Sequence, residues 1–382
     1  MRPVLGRVPG QEDAMAFLDQ AADRPRHAYL FAGPEGSGKQ LAARAFTAAL
    51  LCRRGGCGEC RDCRLALEDR HPNVVLVEPE GRDIRVGTGP DDDGTARWMV
   101  ARAFLTAPEP GPKVFRVEQA DRMTEEAADV LLKALEDPPR DTVFMLSSAR
   151  PHEIPETVRS RCQTVLFRPL PEAFVVRTLE EEGVAPQRAR LAARLAGGNL
   201  GRARRVARDE GGLAFRDAAV DALAEARRGP GGALAAAERL LAEAAAYRKE
   251  LARRLAGELE AFSDPQTGAP LDQYRGAIRR LQQRHQRMER RAEREFLDWS
   301  LIALEAWFRD ALLAGAGGDP AWTINLDRAE ELAGVPAADA AAAIEALEQA
   351  RAALADETNL NARLVVEQAF LALAGLSPAA AG

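Results

Sequence analysis

Four of the five cysteines fall within twelve residues, in the pattern Cys52-x4-Cys57-x2-Cys60-x2-Cys63. Short x2 spacings let successive thiolates point at one ion, and four thiolates complete a tetrahedral structural Zn²⁺ site with no open position. The alternative is a set of buried, inert cysteines, but charged residues such as Arg53 lie between them and do not suit burial. The segment therefore predicts a structural zinc module at 52–63. Such crowding also favours a reducing cytosol over a disulfide framework.

A second segment with its own chemistry is the glycine-rich run Gly33-Pro34-Glu35-Gly36-Ser37-Gly38-Lys39-Gln40. It follows a predicted strand and opens a predicted helix, which is the setting of a phosphate-binding P-loop. The candidate phosphate-binding residues are therefore Gly33, Gly36, Gly38 and Lys39. Gln40 stands where the Walker A motif has a Ser or Thr hydroxyl for magnesium. The sequence predicts the P-loop fold, and it leaves open whether ATP, ADP or a lone phosphate binds there.

A third segment, the predicted strand Val114–Val117, ends in Glu118 and Gln119. In a Walker B motif such a strand ends in two acids: one helps to hold magnesium and the next polarises the attacking water. Glu118 suits the first role, so it is the candidate residue of a degenerate Walker B motif. The amide of Gln119 has no basicity for the second role. The alternative is a plain core strand that ends in polar residues.

The elements that position these motifs alternate between short apolar runs and helical stretches from residue 1 to residue 167. Such alternation predicts a parallel sheet with helices on both faces. Between Gly87 and Thr95 the composition predicts a mobile loop, to which we assign no role. The predicted strands are Ala28–Phe31, Asn73–Val77, Val114–Val117 and Val143–Leu146.

Beyond Pro171 the sequence predicts helices alone. Residues 172–208 favour a small helical bundle, and the chain after about Asp209 is rich in Ala, Leu, Arg and Glu at helical period. Within it, the segment 275–294 is an arginine-rich helix with two interpretations. It is either an arm that contacts phosphates or a solvated helix with intrahelical charge pairs.

The whole chain of 382 residues has a formal net charge of -6, so no bulk positive field points to nucleic-acid binding. No apolar run reaches the ~18 residues that a membrane helix needs. The segment Met1–Gly6 has no apolar core, so we expect no signal peptide.

Two further segments carry a resemblance to a known family. Leu131–Pro139, with the sequence Leu-Leu-Lys-Ala-Leu-Glu-Asp-Pro-Pro, and Ile154–Cys162 closely resemble the AAA+ family of clamp-loader subunits of bacterial DNA polymerase III. Ser160-Arg161-Cys162 is similar to that family's SRC motif, whose arginine reaches the neighbouring subunit's ATP. Weaker likenesses are Val8–Gln11 and His27–Tyr29 at the nucleotide pocket, Ser147-Ser148 at sensor 1, and Asn359–Leu373 at the last collar helix.

The resemblance implies an architecture and an assembly. We expect a P-loop AAA+ domain at 1–168 with the zinc module at 52–63, a helical lid at 169–208 and an all-α collar at 209–382. Expected partners are the ATPase (gamma/tau) subunits, a delta subunit, the sliding clamp and primed DNA within the complex, with no membrane. The expected location is the cytoplasm, at the replisome.

Within the family, the choice lies between a hydrolysing and a non-hydrolysing subunit. Gly201 replaces the arginine of the sensor-2 stretch, so Gln40, Gln119 and Gly201 depart together from the metal, base and sensor roles. Arg161, which would serve the neighbour's site, is intact. This asymmetry favours a non-hydrolysing subunit that supplies Arg161 as a trans-acting arginine finger. The alternatives are an active gamma/tau-like ATPase and, less in keeping with the net charge, a zinc-ribbon nucleic-acid binder.

Overall fold

The computed structural model describes residues 1–79, 83–208, 213–260, 275–325, 328, 332, 335–355 and 361–375. They belong to two compact units, Met1–Arg204 and Arg205–Gly382. The first unit contains a sheet with helices, and the described part of the second is helical.

The sheet of the first unit consists of β1 (Ala28–Ala32), β2 (Val74–Val77), β3 (Lys113–Val117), β4 (Thr142–Ser148) and β5 (Gln163–Leu166). Among the described residues, these five strands are all parallel and lie in the order β2-β3-β4-β1-β5. β1 is therefore flanked by β4 and β5, and the loop that leaves β1 lies beside the ends of β4 and β3. This order places the candidate P-loop, Glu118 and Ser148 at one edge of the sheet.

Helices cover both faces of the sheet, as the sequence predicts. Tyr29 and Phe31 of β1 belong to one apolar core, whereas Leu30 and Ala32 belong to the other, because successive side chains of a strand point to opposite faces. The helices of this part are α1 (Glu12–Ala21), α2 (Lys39–Leu51), α3 (Arg61–Leu67), α4 (Ala96–Phe104), α5 (Glu125–Glu136) and α6 (Glu156–Arg159). The first core takes residues from α1, α2 and α3, and the second from α4 and α5.

All four predicted strands are present, with bounds that differ by one or two residues at their ends. The sequence interpretation missed β5. This strand has four residues at the sheet edge, and only Val165 is buried in it. So short a strand, with three polar or exposed positions, gives no clear hydrophobic pattern.

The sheet is followed by α7 (Glu172–Glu181), α8 (Pro186–Ala196) and α9 (Leu200–Arg208), in the segment predicted as a helical bundle. Gly197 adopts a left-handed conformation at the end of α8, which stops that helix and turns the chain towards α9. The unit boundary at Arg204 falls within α9. The division of the chain at 168 and 208 stays a prediction.

The described helices of the second unit are α10 (Ala214–Ala226), α11 (Pro230–Glu260), α12 (Arg275–Gly315), α13 (Ala337–Ala355) and α14 (Ala362–Ala374). Aromatic side chains of Phe215, Tyr247 and Trp299 join α10, α11 and α12. The arginine-rich segment 275–294 lies in α12, but its arginine side chains up to residue 290 fall outside the described residues. Both interpretations of that segment stay open. Residues 359 and 360 of the proposed last collar helix also fall outside.

Candidate functional site

The P-loop joins β1 to α2 and packs tightly against neighbouring backbone. A side chain at Gly33 would meet the backbone carbonyl of Phe167, since a Cβ built there lies 2.2 Å from that oxygen. Gln11 connects the loop to the segment after β5. Its buried side-chain amide donates hydrogen bonds to the carbonyls of Ser37, at 3.0 Å, and of Arg168, at 2.7 Å. The loop is therefore preformed by the fold.

Lys39 is the first residue of α2, directly after Gly38, and its side chain is buried. Its ammonium donates to the carbonyl oxygens of Gly33, at 2.5 Å, and of Pro34, at 2.7 Å. Burial lowers the pKa of Lys39, while the nearby carboxylates of Glu118 and others act in the opposite direction. The lysine thus lies inside the loop, at the place where it would meet phosphate oxygens.

The two positions that differ from a hydrolysing site have distinct surroundings. Gln40 is exposed on the first turn of α2 and offers no hydroxyl. Gln119 follows β3 in a left-handed conformation, with φ of 52°. Its Oε1 is buried and has no hydrogen-bond partner among the described residues. Gln40 gives a metal ion no hydroxyl ligand, and the amide of Gln119 cannot act as a general base.

Glu118 lies at the carboxyl end of β3 and is buried, as the Walker B interpretation requires. Its carboxylate is already engaged, because Nη2 of Arg116 donates to Oε1 of Glu118 over 2.6 Å. Arg116 is 1% exposed, and side chains two residues apart on a strand share one face. Sequence reasoning missed this partner, although a charged residue inside an apolar strand was a visible signal.

Ser148, the last residue of β4, lies where the sensor-1 residue was expected, next to the end of β3. Its hydroxyl donates to Oδ1 of Asp121 over 2.6 Å, and Arg150 Nη2 lies 3.2 Å from Oδ2 of the same carboxylate. Asp121 and Arg150 were not singled out from the sequence.

The sensor-2 stretch, Gly198–Ala203, contains Asn199, which caps α9 by accepting a hydrogen bond from the backbone N–H of Arg202 over 2.9 Å. The side chain of Asn199 lies against Gly36 of the P-loop. A Cβ built on Gly36 would be 1.9 Å from Asn199 Cγ, and Gly36 has φ of 73°. The glycine at position 36 is therefore required both by its backbone conformation and by the side chain that covers it.

The four cysteine sulfurs gather between the end of α2 and α3. Cys52 Sγ lies 3.7 Å from both Cys57 Sγ and Cys60 Sγ, and Cys57 Sγ lies 3.9 Å from Cys63 Sγ. Ligands at ~2.3 Å around a tetrahedral ion lie about 3.8 Å apart. The cluster could thus hold a metal ion without rearrangement.

The surroundings of the cluster act differently on its thiols: burial raises the pKa of Cys63, whereas nearby donors favour the thiolate at Cys57. Backbone N–H groups of Glu59 and Cys60 lower the pKa of Cys57 to about 6. The N–H of Gly58 also reaches Cys63 Sγ, at 3.3 Å. Such donors stabilise the deprotonated sulfur that a metal binds.

A second group of ligand-type atoms, from Asp62, His71 and Glu109, lies beside the cysteines. Nδ1 of the buried His71 accepts a hydrogen bond from the backbone N–H of Asn73 over 3.1 Å. A neutral imidazole that accepts at Nδ1 carries its proton on Nε2, the atom that faces Asp62 and Glu109. Since Arg61 also holds Glu109 through two 2.9 Å hydrogen bonds, this group braces α3 and does not suit a metal.

Arg161 follows α6 and is partly exposed, with 36% of its side chain accessible. Its Nη1 donates to the carbonyl of Thr157 over 2.8 Å, and its Nη2 donates to Oε1 of Glu136 over 2.6 Å. The next residue, Cys162, packs against the second apolar core, and burial raises the pKa of its thiol to about 12. Cys162 therefore fixes the Ser160–Cys162 segment to the apolar core, while Arg161 lies at the surface.

Comparison with known proteins bears on what this arrangement is. Residues 10–171 match the family described as "DNA polymerase III, delta subunit". The delta' subunit of DNA polymerase III from Bacillus subtilis is 36% identical over 176 residues, which are 45% of this chain and 51% of that protein. Residues 10–171 are therefore similar to this family of clamp-loader subunits.

Other clamp-loader subunits are similar too. The gamma/tau subunit of DNA polymerase III from Mycobacterium tuberculosis is 34% identical over 190 residues, 47% of this chain and 32% of that protein. The chain thus spans about half or less of the length of these curated relatives. A gamma subunit-related protein of known structure from Thermotoga maritima aligns over 94% of this chain and 98% of its own, with 17% identity and a TM-score of 0.44.

The P-loop, the parallel sheet and the helices on both faces agree with the AAA+ domain expected for the clamp-loader family. None of the helices in the described part of the chain has both the length and the apolarity to cross a membrane.

Proposed function

We propose that this chain is the non-hydrolysing delta-prime subunit of the replicative clamp loader. It assembles with the ATPase (gamma/tau) subunits and the delta subunit, and the complex places the sliding clamp on primed DNA. The observation that carries the proposal is an asymmetry. The chain's own nucleotide site lacks a magnesium-binding hydroxyl and a general base, whereas Arg161 lies at the surface with 36% of its side chain accessible.

Three departures support the absence of hydrolysis. Gln40 gives magnesium no hydroxyl, Gln119 gives the attacking water no base, and Gly201 carries no sensor side chain. Each affects a different step of phosphoryl transfer, so their coincidence is better explained by loss of the reaction than by drift at one position. Binding of ATP, ADP or phosphate through the loop amides of Gly33–Gly38 and through Lys39 is still compatible with the structure.

Arg161 suits a trans-acting role at the neighbour's site. A planar guanidinium stabilises the charge on the transferring phosphoryl group, and such fingers contribute roughly 10³–10⁵ in rate. Lysine would be a poor replacement, because it lacks the planar fork of donors. The carboxylate of Glu136, at the end of α5, holds Arg161 through a hydrogen bond, so the guanidinium has a defined resting position.

We assign zinc to the cysteine cluster. Cys52, Cys57, Cys60 and Cys63 supply four thiolates, which is a closed structural set for Zn²⁺ and leaves no position for a substrate. The metal would stabilise the segment between α2 and α3, and it takes no part in nucleotide chemistry.

The proposed organisation has the AAA+ domain at 1–168, the lid at 169–208 and the collar at 209–382. The collar would join the collars of the partner subunits, and the complex would act in the cytoplasm at the replisome. These assignments follow from the likeness to subunits named delta' and gamma/tau.

A second candidate is an active, gamma/tau-like ATPase. The gamma/tau relative at 34% identity and the retained Lys39 favour it. An ATPase assay of the purified chain, with and without primed DNA, separates the two. We expect no turnover above that of a Lys39→Ala control, and turnover that this substitution abolishes would establish the motor.

The trans-acting role is tested by reconstitution with the ATPase and delta subunits. We expect Arg161→Ala to assemble normally and to lose both clamp loading and the share of ATP hydrolysis that belongs to the bordering site. Arg159→Ala is the matched control, since Arg159 is 35% exposed and pairs with a carboxylate, Glu156, on the same helix. Normal loading by an assembled Arg161→Ala complex would refute the role.

A further inference from the structure

The carboxylates around the P-loop lysine are already paired with arginines. The charges of Glu118 and Asp121 both raise the pKa of the Lys39 ammonium, so both carboxylates lie near the P-loop lysine. Glu118 is paired with Arg116, at 2.6 Å, and Asp121 with Arg150, at 3.2 Å. The side chains of both acids are 5% exposed. Their charges are therefore balanced inside the protein.

Arg116 is held at both ends, so it is a fixed part of this site. Its Nη1 donates to Oδ1 of Asp69, while its Nη2 binds Glu118. Asp69 is in turn held by Arg44, through Nε at 2.8 Å and Nη2 at 2.7 Å. Swinging Arg116 away from Glu118 would leave a buried carboxylate without a partner and would break the contact with Asp69.

A P-loop that binds magnesium with its nucleotide needs free oxygen ligands. The cation is normally held by the P-loop hydroxyl and an acidic side chain at the end of the neighbouring strand. Here Gln40 offers no hydroxyl, and Oε1 of Glu118 already accepts a hydrogen bond from a cationic guanidinium. The residues present do not fit a magnesium ion.

We propose that Arg116 takes the place of the divalent cation beside Glu118, so that this P-loop accepts phosphate-bearing ligands without a metal. The fixed guanidinium supplies positive charge beside Glu118, and Lys39 supplies the positive group inside the phosphate loop. The inference rests on the P-loop assignment of the proposed function and deepens it by naming the residue that determines metal exclusion.

The test is a titration of the full chain with Mn²⁺, in which electron paramagnetic resonance measures the bound ion. It is carried out once with ADP and once with inorganic phosphate. Four proteins are compared: the wild type, Glu118→Gln, Arg116→Met and the double variant Arg116→Met/Glu118→Gln. We expect the wild type and Glu118→Gln to bind Mn²⁺ equally weakly. Arg116→Met, which keeps the side-chain volume and removes the charge, should gain a saturable site, and the double variant should lose it again.

Two outcomes would overturn the inference. The first is a saturable Mn²⁺ site in the wild type that Glu118→Gln removes. The second is an Arg116→Met protein, folded by circular dichroism, that gains no site with either probe. If Arg116→Met does not fold, the first outcome can still be tested, because it needs only the wild type and Glu118→Gln. Both outcomes are independent of the role proposed for Arg161, because that role is tested by measuring clamp loading by the reconstituted complex.

Discussion

Arg161 donates a hydrogen bond from Nη2 to Oε1 of Glu136 over 2.6 Å, and Glu136 is the last residue of α5. A carboxylate at the carboxyl end of a helix meets the negative end of the helix dipole, so its charge is unfavourable there unless a cation offsets it. Arg161 supplies that cation. The pair therefore links the end of the Leu-Glu-Asp-Pro-Pro segment to the SRC segment and gives the surface arginine a preferred direction.

The first prediction concerns this pair. Glu136→Gln should reduce ATP hydrolysis at the site that Arg161 is proposed to border, because the proposed finger would lose the carboxylate that orients it. We expect the free energy of unfolding to change by less than about 1 kcal/mol, since the pair is partly exposed and α5 loses an unfavourable terminal charge. The measurements are single-turnover hydrolysis in the reconstituted complex and urea unfolding. Glu156→Gln, which releases Arg159 instead, is the matched control, and an equal loss in both variants would contradict the prediction.

The second prediction concerns the metal. Cys60→Ser should abolish stoichiometric zinc binding and destabilise the segment between α2 and α3, because a structural metal contributes its binding energy to folding. At free zinc 100-fold above its Kd, the loss amounts to about 2.7 kcal/mol. Zinc content by elemental analysis and thermal unfolding measure the two effects. Cys162→Ser should leave the zinc content unchanged, as Cys162 is outside the cluster. Absence of zinc from wild-type protein refolded with zinc would disprove the assignment.

The third prediction concerns Lys39. If the chain is the proposed non-hydrolysing subunit, Lys39→Met in the reconstituted loader should leave clamp loading within about twofold of the wild type, because hydrolysis would then take place at the neighbours' sites. The substitution keeps an aliphatic side chain in the buried position and removes the bonds to the carbonyls of Gly33 and Pro34. The same change in the P-loop lysine of the gamma/tau subunit is the positive control and should abolish loading. A comparable loss from Lys39→Met would favour the ATPase alternative.

The fourth prediction concerns the contact between Gly36 and Asn199. Gly36→Ala should destabilise the protein by more than the cost of its positive φ, because the new methyl group displaces Asn199. Gly183→Ala is the control for φ alone, since Gly183 has φ of 89° and no atom near its Cβ position. In an Asn199→Gly background, Gly36→Ala should lower the free energy of unfolding by about 1 kcal/mol less than it does in the wild type. Urea unfolding of the four proteins of this cycle measures the coupling, and additive effects would show that Asn199 does not cover the loop.

The sequence was informative where chemistry depends on residues that are close along the chain. The spacing of Cys52, Cys57, Cys60 and Cys63 anticipated a cluster whose sulfurs do converge, because x2 spacings bring ligands together through local turns. The P-loop could be predicted equally well from the sequence, since Gly33 to Lys39 form one continuous loop between a strand and a helix. The resemblance of Ser160-Arg161-Cys162 to the SRC motif drew attention to Arg161 before its surroundings were known.

The sequence was less informative about partners that are distant along the chain. It gave no sign that Asn199 would lie on Gly36, or that Asp69 would reach Arg116, as these contacts depend on how α9 and α3 pack around the sheet. β5 was missed for a related reason. Its four residues become a strand because β1 offers an unpaired edge, which is a property of the sheet and not of the segment.

The sequence by itself determined the kinds of sites in this protein: four thiols for a metal, a loop for phosphates, a strand ending in Glu118, and an arginine in a motif of its own. These are set by residue type and short spacing, which the chain carries directly. The tertiary structure alone decided the state of those groups. It placed Arg116 against Glu118 and Glu136 against Arg161, because an ion pair forms only where packing brings two charges within a few ångströms, and burial then fixes which of them remain free to react.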